Sequence, residues 1–195
     1  MTISTVLFAT MAGFAFAKLR FRGLGALLIT IIATMMIPVQ MGIVPLYILM
    51  TKIHWQNDVK ALTIPFLITG FGVFMMRQYT AQAVPDELIE AARVDGASTW
   101  RIYWSVVLPA LRPAAAVLAL FTFMQTWNDF MWPRAVMTPD NPTVQLSIAN
   151  LNGSHFQDYT LVFAGTAVAT VPLLIVFIVF SRQIIGGLME GAVKA

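Results

Sequence analysis

Pro85-Asp86-Glu87-Leu88-Ile89-Glu90-Ala91-Ala92-Arg93-Val94-Asp95-Gly96-Ala97-Ser98, continued by Thr99 to Val107 and closed by Leu108-Pro109 and Arg112-Pro113, is the stretch on which the rest of the chain turns. It is the longest polar interval in an otherwise apolar sequence. Pro85 suits a first helical turn, Asp86 and Glu87 lie where the positive end of a helix dipole favours carboxylates, and Gly96 lies where a left-handed cap ends a helix. Ser98 is placed to cap a second helix, and Pro109 and Pro113 bound the segment. The pattern predicts helix, glycine turn, helix. Leu88, Ala91, Ala92 and Asp95 recur at spacings of three and four, so the small Ala91 and Ala92 leave a low surface beside Glu90 that a partner could approach closely. Glu-Ala-Ala followed by a glycine stop is also ordinary surface-helix sequence, so its meaning depends on what flanks it.

What flanks it is membrane-like. At 58% hydrophobic and 11% charged residues, a soluble fold would have to hide nearly everything the chain has, and a helical membrane protein is the simpler account. The net charge of +3 is small and its basic residues are scattered, which gives no footing to nucleic-acid binding. With no cysteine there is no disulfide, thiolate metal site or cysteine nucleophile.

Five apolar stretches follow in order. Ile3 to Ala17 is short against the roughly twenty residues that cross a bilayer, and with no basic leader it reads as a retained span. Leu24 to Met50 is interrupted by Pro38, Gly42 and Pro45, so it faces other helices or a cavity. Gln40, between the two prolines, is either pore-lining or a helix-packing residue. Thr51 to Asp58 is a polar turn with Trp55 suited to the interface and a lone His54 that lacks any companion at metal-ligand spacing. Val59 to Met76 carries Pro65, Gly70 and Gly72; Ala114 to Trp132 closes on Trp127-Asn128-Asp129-Phe130; Tyr159 to Phe180 contains Gly165 and Pro172. Asp129 near a span end is either a functional ionisable group or, with Asn128, a cap for the helix end.

Charge orients these spans. If the loop after the first is cytoplasmic, Lys18, Arg20, Arg22, Arg77, Arg93, Arg101, Arg112, Arg182 and Lys194 lie inside, and Lys52, Lys60 and Arg134 outside. Nine against three satisfies the positive-inside rule and places the polar helix pair, loop residues 78–112, in the cytoplasm.

In this setting Glu90-Ala91-Ala92, three residues, Gly96, nine residues, Val106, one residue and Leu108-Pro109 resembles the EAA signature of permease subunits in binding-protein-dependent ABC importers, with Val106 where the signature has isoleucine. Pro85-Asp86-Glu87-Leu88, the stretch from Phe121 through Gln125 to Trp127-Asn128-Asp129-Phe130 and Pro133, and the tail Gly191-Ala192-Val193-Lys194 are similar to the sugar-importer branch, of the maltose and glycerol-phosphate type. Thr143 to Ser147 looks like that family's short extended segment before a short helix. The resemblance implies an all-α polytopic membrane bundle of the type I ABC importer permease kind, with residues 1–195 forming one transmembrane domain of about five spans. The family's first span normally precedes the point where this chain starts, so the chain is a fragment, has a late start, or is a short version whose amino end lies outside.

The resemblance also implies a division of labour. The chain would be half of a solute pathway in the cell's inner or plasma membrane, crossing the bilayer several times. Its partners would be a second permease subunit, a cytoplasmic ABC ATPase dimer and an extracytoplasmic solute-binding protein. Glu90, Ala91, Ala92, Gly96, Leu108 and Pro109 would couple to the ATPase: Glu90 by a polar contact, the alanines by allowing close approach, Gly96 by setting the turn. Gln40, Gln125, Asn128 and Asp129 are the polar candidates for lining the route. No G-x-x-x-x-G-K-[ST] loop is present and no hydrolase or metalloprotease set is apparent, so catalytic residues, metal and cofactor are all expected to be none. An importer for amino acids or peptides, and a membrane scaffold without a pathway, are the competing readings.

Overall fold

The computed structural model describes residues 1–151 and 159–192, with side chains to Phe180, and every regular element among them is helical. In chain order these are α1 (Thr2–Lys18), α2 (Leu24–Met35), a 3₁₀ turn (Val39–Gly42), α3 (Ile43–Lys52), α4 (Val59–Thr63) with a 3₁₀ turn (Ile64–Phe66), α5 (Gly70–Ala83), α6 (Asp86–Val94) and α7 (Thr99–Ile102). A π turn (Tyr103–Val107) carries α7 into α8 (Leu108–Ala110), followed by α9 (Arg112–Trp127), α10 (Met131–Val136), α11 (Val144–Leu151) and α12 (Tyr159–Ala192).

Only Tyr159–Phe180, 22 residues of mean hydropathy 2.5, is by itself a described helix long and apolar enough to cross a bilayer. Three broken pairs, 24–35 with 39–52, 59–66 with 70–83 and 99–110 with 112–127, reach that standard together, and α1 is a shorter apolar helix. The breaks have local causes. Pro38 has no N–H to donate at the first break, and Thr69 restarts the chain after the second as a side-chain cap, accepting from Gly72 N at 3.1 Å; Asp58 caps the start of α4 in the same way, accepting from Lys60 N at 2.8 Å.

The chain divides into two compact units. Of the described residues one comprises 2–37, 67–119 and 182–192, and its core is Ala9, Phe14, Met76, Val84, Ile89, Ile102, Tyr103, Val107, Leu111, Ala114 and Leu118. Here α1 lies against α5 at backbone distance: a Cβ on Gly13 would fall 2.7 Å from the carbonyl carbon and Cβ of Met76, a gap only glycine permits. The other comprises Met1, 38–66, 120–151 and 159–181, and is built around Met50, Ala61, Trp132 and Val136. Trp132 Nε1 donates to Ala61 O at 2.9 Å, and Phe66 meets the indole edge-on with ring centroids 6.1 Å apart. Asn57, left-handed at φ 58°, donates its N–H to Val136 O at 2.9 Å and accepts from Thr138 N at 3.2 Å, which ties the turn after α3 to the end of α10.

Two local expectations are corrected, and the bounds set by the two prolines after the loop helices stand. Pro85 is the cap residue before α6 and not part of its first turn, because its ψ of 146° is extended. Pro109 and Pro113 do bound the segment: the π turn leads into α8, the break comes at Leu111 between the two prolines, and α9 starts at Arg112. Thr143 to Ser147 is the cap and first turn of α11 and not an extended segment, because Thr143 Oγ1 accepts from Leu146 N at 3.4 Å and Thr143 O from Ser147 N at 2.8 Å.

Candidate functional site: the loop helix pair and the polar positions

In α6 the acidic first turn, Asp86 and Glu87, and the basic last turn, Arg93, match the helix dipole. The helix ends in a Schellman turn: Ala97 N donates to Ala92 O at 2.9 Å and Gly96 N to Arg93 O at 3.0 Å, with Gly96 at φ +77°. Ser98 Oγ then accepts from Arg101 N at 3.3 Å and starts α7. Glycine, cap and helix pair stand where the sequence predicts them.

The six positions carried over from the resemblance divide by exposure. Glu90, Ala91, Gly96 and Pro109 are exposed, whereas Ala92 and Leu108 are half-buried against the core. The two alanines therefore do different things: Ala92 seats the helix and Ala91 belongs to its outer surface. Around Ala91 that surface adds Leu88, 51% exposed, and Val94, 87% exposed. Only Ile89 of α6 is fully buried, so the helix is lightly held and largely available.

An ion pair between residues too far apart in the chain to form any pattern lies at its start. Lys18 Nζ, at the end of α1, donates to Asp86 Oδ1 at 2.7 Å; the lysine side chain is 7% exposed and the aspartate 76%. The hydrogen bond from Lys18, and then its charge, hold the Asp86 carboxyl below the usual carboxylate range. Beside the pair is a cavity of about 700 Å³ lined by residues 17–21 and by Asp86, Ile89, Glu90 and Arg93.

The polar candidates for the route all fall in the unit built around Trp132. Gln40 is exposed in its 3₁₀ turn, and Gln125 and Asn128 are exposed one turn apart near the end of α9. Asn128 Nδ2 donates to Met124 O at 2.9 Å and its Oδ1 accepts from Gln145 Nε2 at 3.4 Å. Gln145, on α11, thus joins the set; its separation of 17 residues from Asn128 left no pattern to read. Asp129 is half-buried and its carboxylate is engaged by the backbone N–H groups of Trp132, Met131 and Phe130 as α10 begins.

Residues 6–187 match the family described as binding-protein-dependent transport system inner membrane component, and the chain belongs to it. It is a permease of the binding-protein-dependent ABC importers, on their sugar-importer branch, in a family of transport permeases rather than enzymes. It is 34% identical over 193 residues to the arabinooligosaccharides transport system permease protein AraQ of Halalkalibacterium halodurans, covering 98% of this chain and 69% of the relative. It is 32% identical over 194 residues to the lactose transport system permease protein LacG of Rhizobium radiobacter, covering 99% and 70%. The fold is that of a chain in the crystal structure of a bacterial ABC transporter involved in the import of alginate: TM-score 0.79, 23% identity, 93% of this chain and 69% of that one.

Proposed function

We propose that this chain crosses the inner membrane several times as half of a carbohydrate pathway, and that α6 is the helix that engages a separate cytoplasmic ATPase. The observation that carries the reading is the Schellman-turned helix pair in the most polar loop, which presents Ala91 and Glu90 outward while Ala92 and Ile89 hold the helix to the core. Leu108 and Pro109 close the second helix of the pair, and Gly96 sets the angle between the two. The family implies an ATPase and a binding protein as partners; here these are a nucleotide-binding dimer on the cytoplasmic side, a second permease beside this chain, and an extracytoplasmic protein that delivers the sugar. Relatives named for arabinooligosaccharides, lactose and α-glucosides support a sugar or oligosaccharide as the solute. Gln40, Gln125, Asn128 and Gln145 supply amide groups of the kind that exchange hydrogen bonds with sugar hydroxyls.

The test is purification from membranes in mild detergent. An ATP-binding subunit and a second permease should come down with this chain, and ATP-driven uptake of a labelled oligosaccharide should be recovered on adding the binding protein. Recovery of the chain alone would favour a scaffold. Replacement of Gly96 by tryptophan should leave ATP hydrolysis uncoupled from uptake; normal uptake would remove α6 from the coupling role.

A further inference from the structure

Resting on that coupling role, we propose that α1 receives the displacement of the loop helices through two polar ties, Lys18 with Asp86 and Thr10 with Tyr103, which make these four positioning residues. The ties grip α1 at two points eight residues apart, about 12 Å along a helix axis. One point of attachment would let the loop helices pivot on α1; two fix both place and tilt.

At the first point packing alone is thin. Ile89 is the one fully buried side chain of α6, Ala92 is half-buried, and a cavity of about 700 Å³ opens between this helix and residues 17–21. The pair of Lys18 and Asp86 bridges beside that opening at 2.7 Å. The carboxylate is 76% exposed, so the definition of this tie comes from its lysine: with the side chain 7% exposed, the Lys18 ammonium is held in place beside Asp86.

At the second point the tie is buried. Thr10 Oγ1 lies 2.8 Å from Tyr103 OH, with both residues at most 2% exposed. Thr10 donates its single hydroxyl proton to the carbonyl of Val6 or Leu7, each at 2.9 Å, which makes Tyr103 the donor between the two hydroxyls. Tyr103 lies in the π turn between α7 and α8, with Phe14 of α1 against its ring at 6.1 Å. Each loop helix thus has its own polar link to α1, and removing the Thr10 hydroxyl takes away the acceptor of the buried Tyr103 O–H.

The experiment uses the whole transporter that purifies with this chain, reconstituted in vesicles, and reads sugar taken up per ATP hydrolysed. Lys18→Glu, Asp86→Lys, Thr10→Val and Tyr103→Phe should each lower that ratio by roughly fivefold to tenfold, the scale of one polar interaction lost or reversed, while hydrolysis continues. The reversed pair, Lys18→Glu with Asp86→Lys, should recover to within about twofold, and Thr10→Val with Tyr103→Phe should cost no more than the worse single change. If the charge variants do not fold, Lys18→Cys with Asp86→Cys replaces them in a chain that has no other cysteine, and a short bifunctional thiol cross-linker should restore the ratio lost in the reduced form. Single variants whose ratio stays within about twofold of the unaltered transporter, or reversed and cross-linked pairs no better than the singles, would overturn the proposal. Failure of the coupling role itself would look different: the unaltered chain would bring down no ATPase and drive no ATP-dependent uptake.

Discussion

Gly96 and Gly13 show two different reasons for a glycine. Gly96 stands at φ +77° with nothing within 4 Å of where a Cβ would go, so an alanine there meets only backbone strain, about 1–2 kcal/mol. Gly13 has an ordinary backbone, but its Cβ would lie 2.7 Å from Met76 and force α1 and α5 apart, about 1–3 kcal/mol or more. Gly13→Ala should therefore lower the unfolding temperature further than Gly96→Ala, and Gly96→Ala should keep its ATPase, as thermal scans and co-purification of the two variants will show. Asp86 makes a prediction of opposite character. Lys18, and more weakly Arg20, hold its carboxyl below the usual range, so its folded form binds a proton less readily than the unfolded chain does. The stability it contributes is complete above the ordinary aspartate value of about 3.9 and is lost only as pH falls through the lower folded value. The difference in unfolding temperature between the unaltered chain and Asp86→Asn should be flat from about pH 8 to pH 5 and should close only below about pH 4; a difference that closes near pH 6 would mean the pair is not formed.

At the scale of elements, α11 has a definite start to test. Thr143→Val removes the hydroxyl that accepts from Leu146 N, a loss of about 1 kcal/mol of cap stabilisation. Amide exchange at Leu146 and Ser147 should speed up by roughly fivefold while exchange in α5 stays unchanged, and Thr143→Ser should restore protection. The same element marks where the sequence was hard to read. Thr143 to Ser147 looks extended by resemblance, and only the capping geometry makes it helical. By contrast the turn at Gly96 and the cap at Ser98 were legible because both act within a few residues. Pro109 and Pro113 were legible in the same way, and the break at Leu111 falls between them. The polar ties were illegible because Lys18 and Asp86 are 68 residues apart and Thr10 and Tyr103 are 93 apart, far beyond any periodic pattern. Gln40, Gln125, Asn128 and Asp129 could be picked out as polar residues in apolar runs, but what they face depends on tertiary arrangement that composition does not encode.

For the whole molecule the decisive contrast is between a very apolar surface and a strongly uneven charge distribution. Phe163, Val168 and Leu174 on α12 are 69%, 72% and 55% exposed, a surface that water-soluble monomers do not carry and that lipid or a second permease would cover. Nine basic residues would lie on one side of the bilayer and three on the other, and the loop with α6 would belong to the richer side. The absence of cysteine lets this be tested without prior substitution. Val94→Cys, at an 87% exposed position of α6, should react with a membrane-impermeant maleimide in inside-out vesicles and be protected in right-side-out ones. Lys52→Cys and Asp140→Cys, both exposed and on the poorer side, should give the reverse pattern. If Val94 and Lys52 labelled from the same face, the loop carrying α6 and the turn after α3 would share a side, an odd number of crossings between them would be impossible, and the cytoplasmic position on which an ATPase contact at Ala91 depends would fall with it.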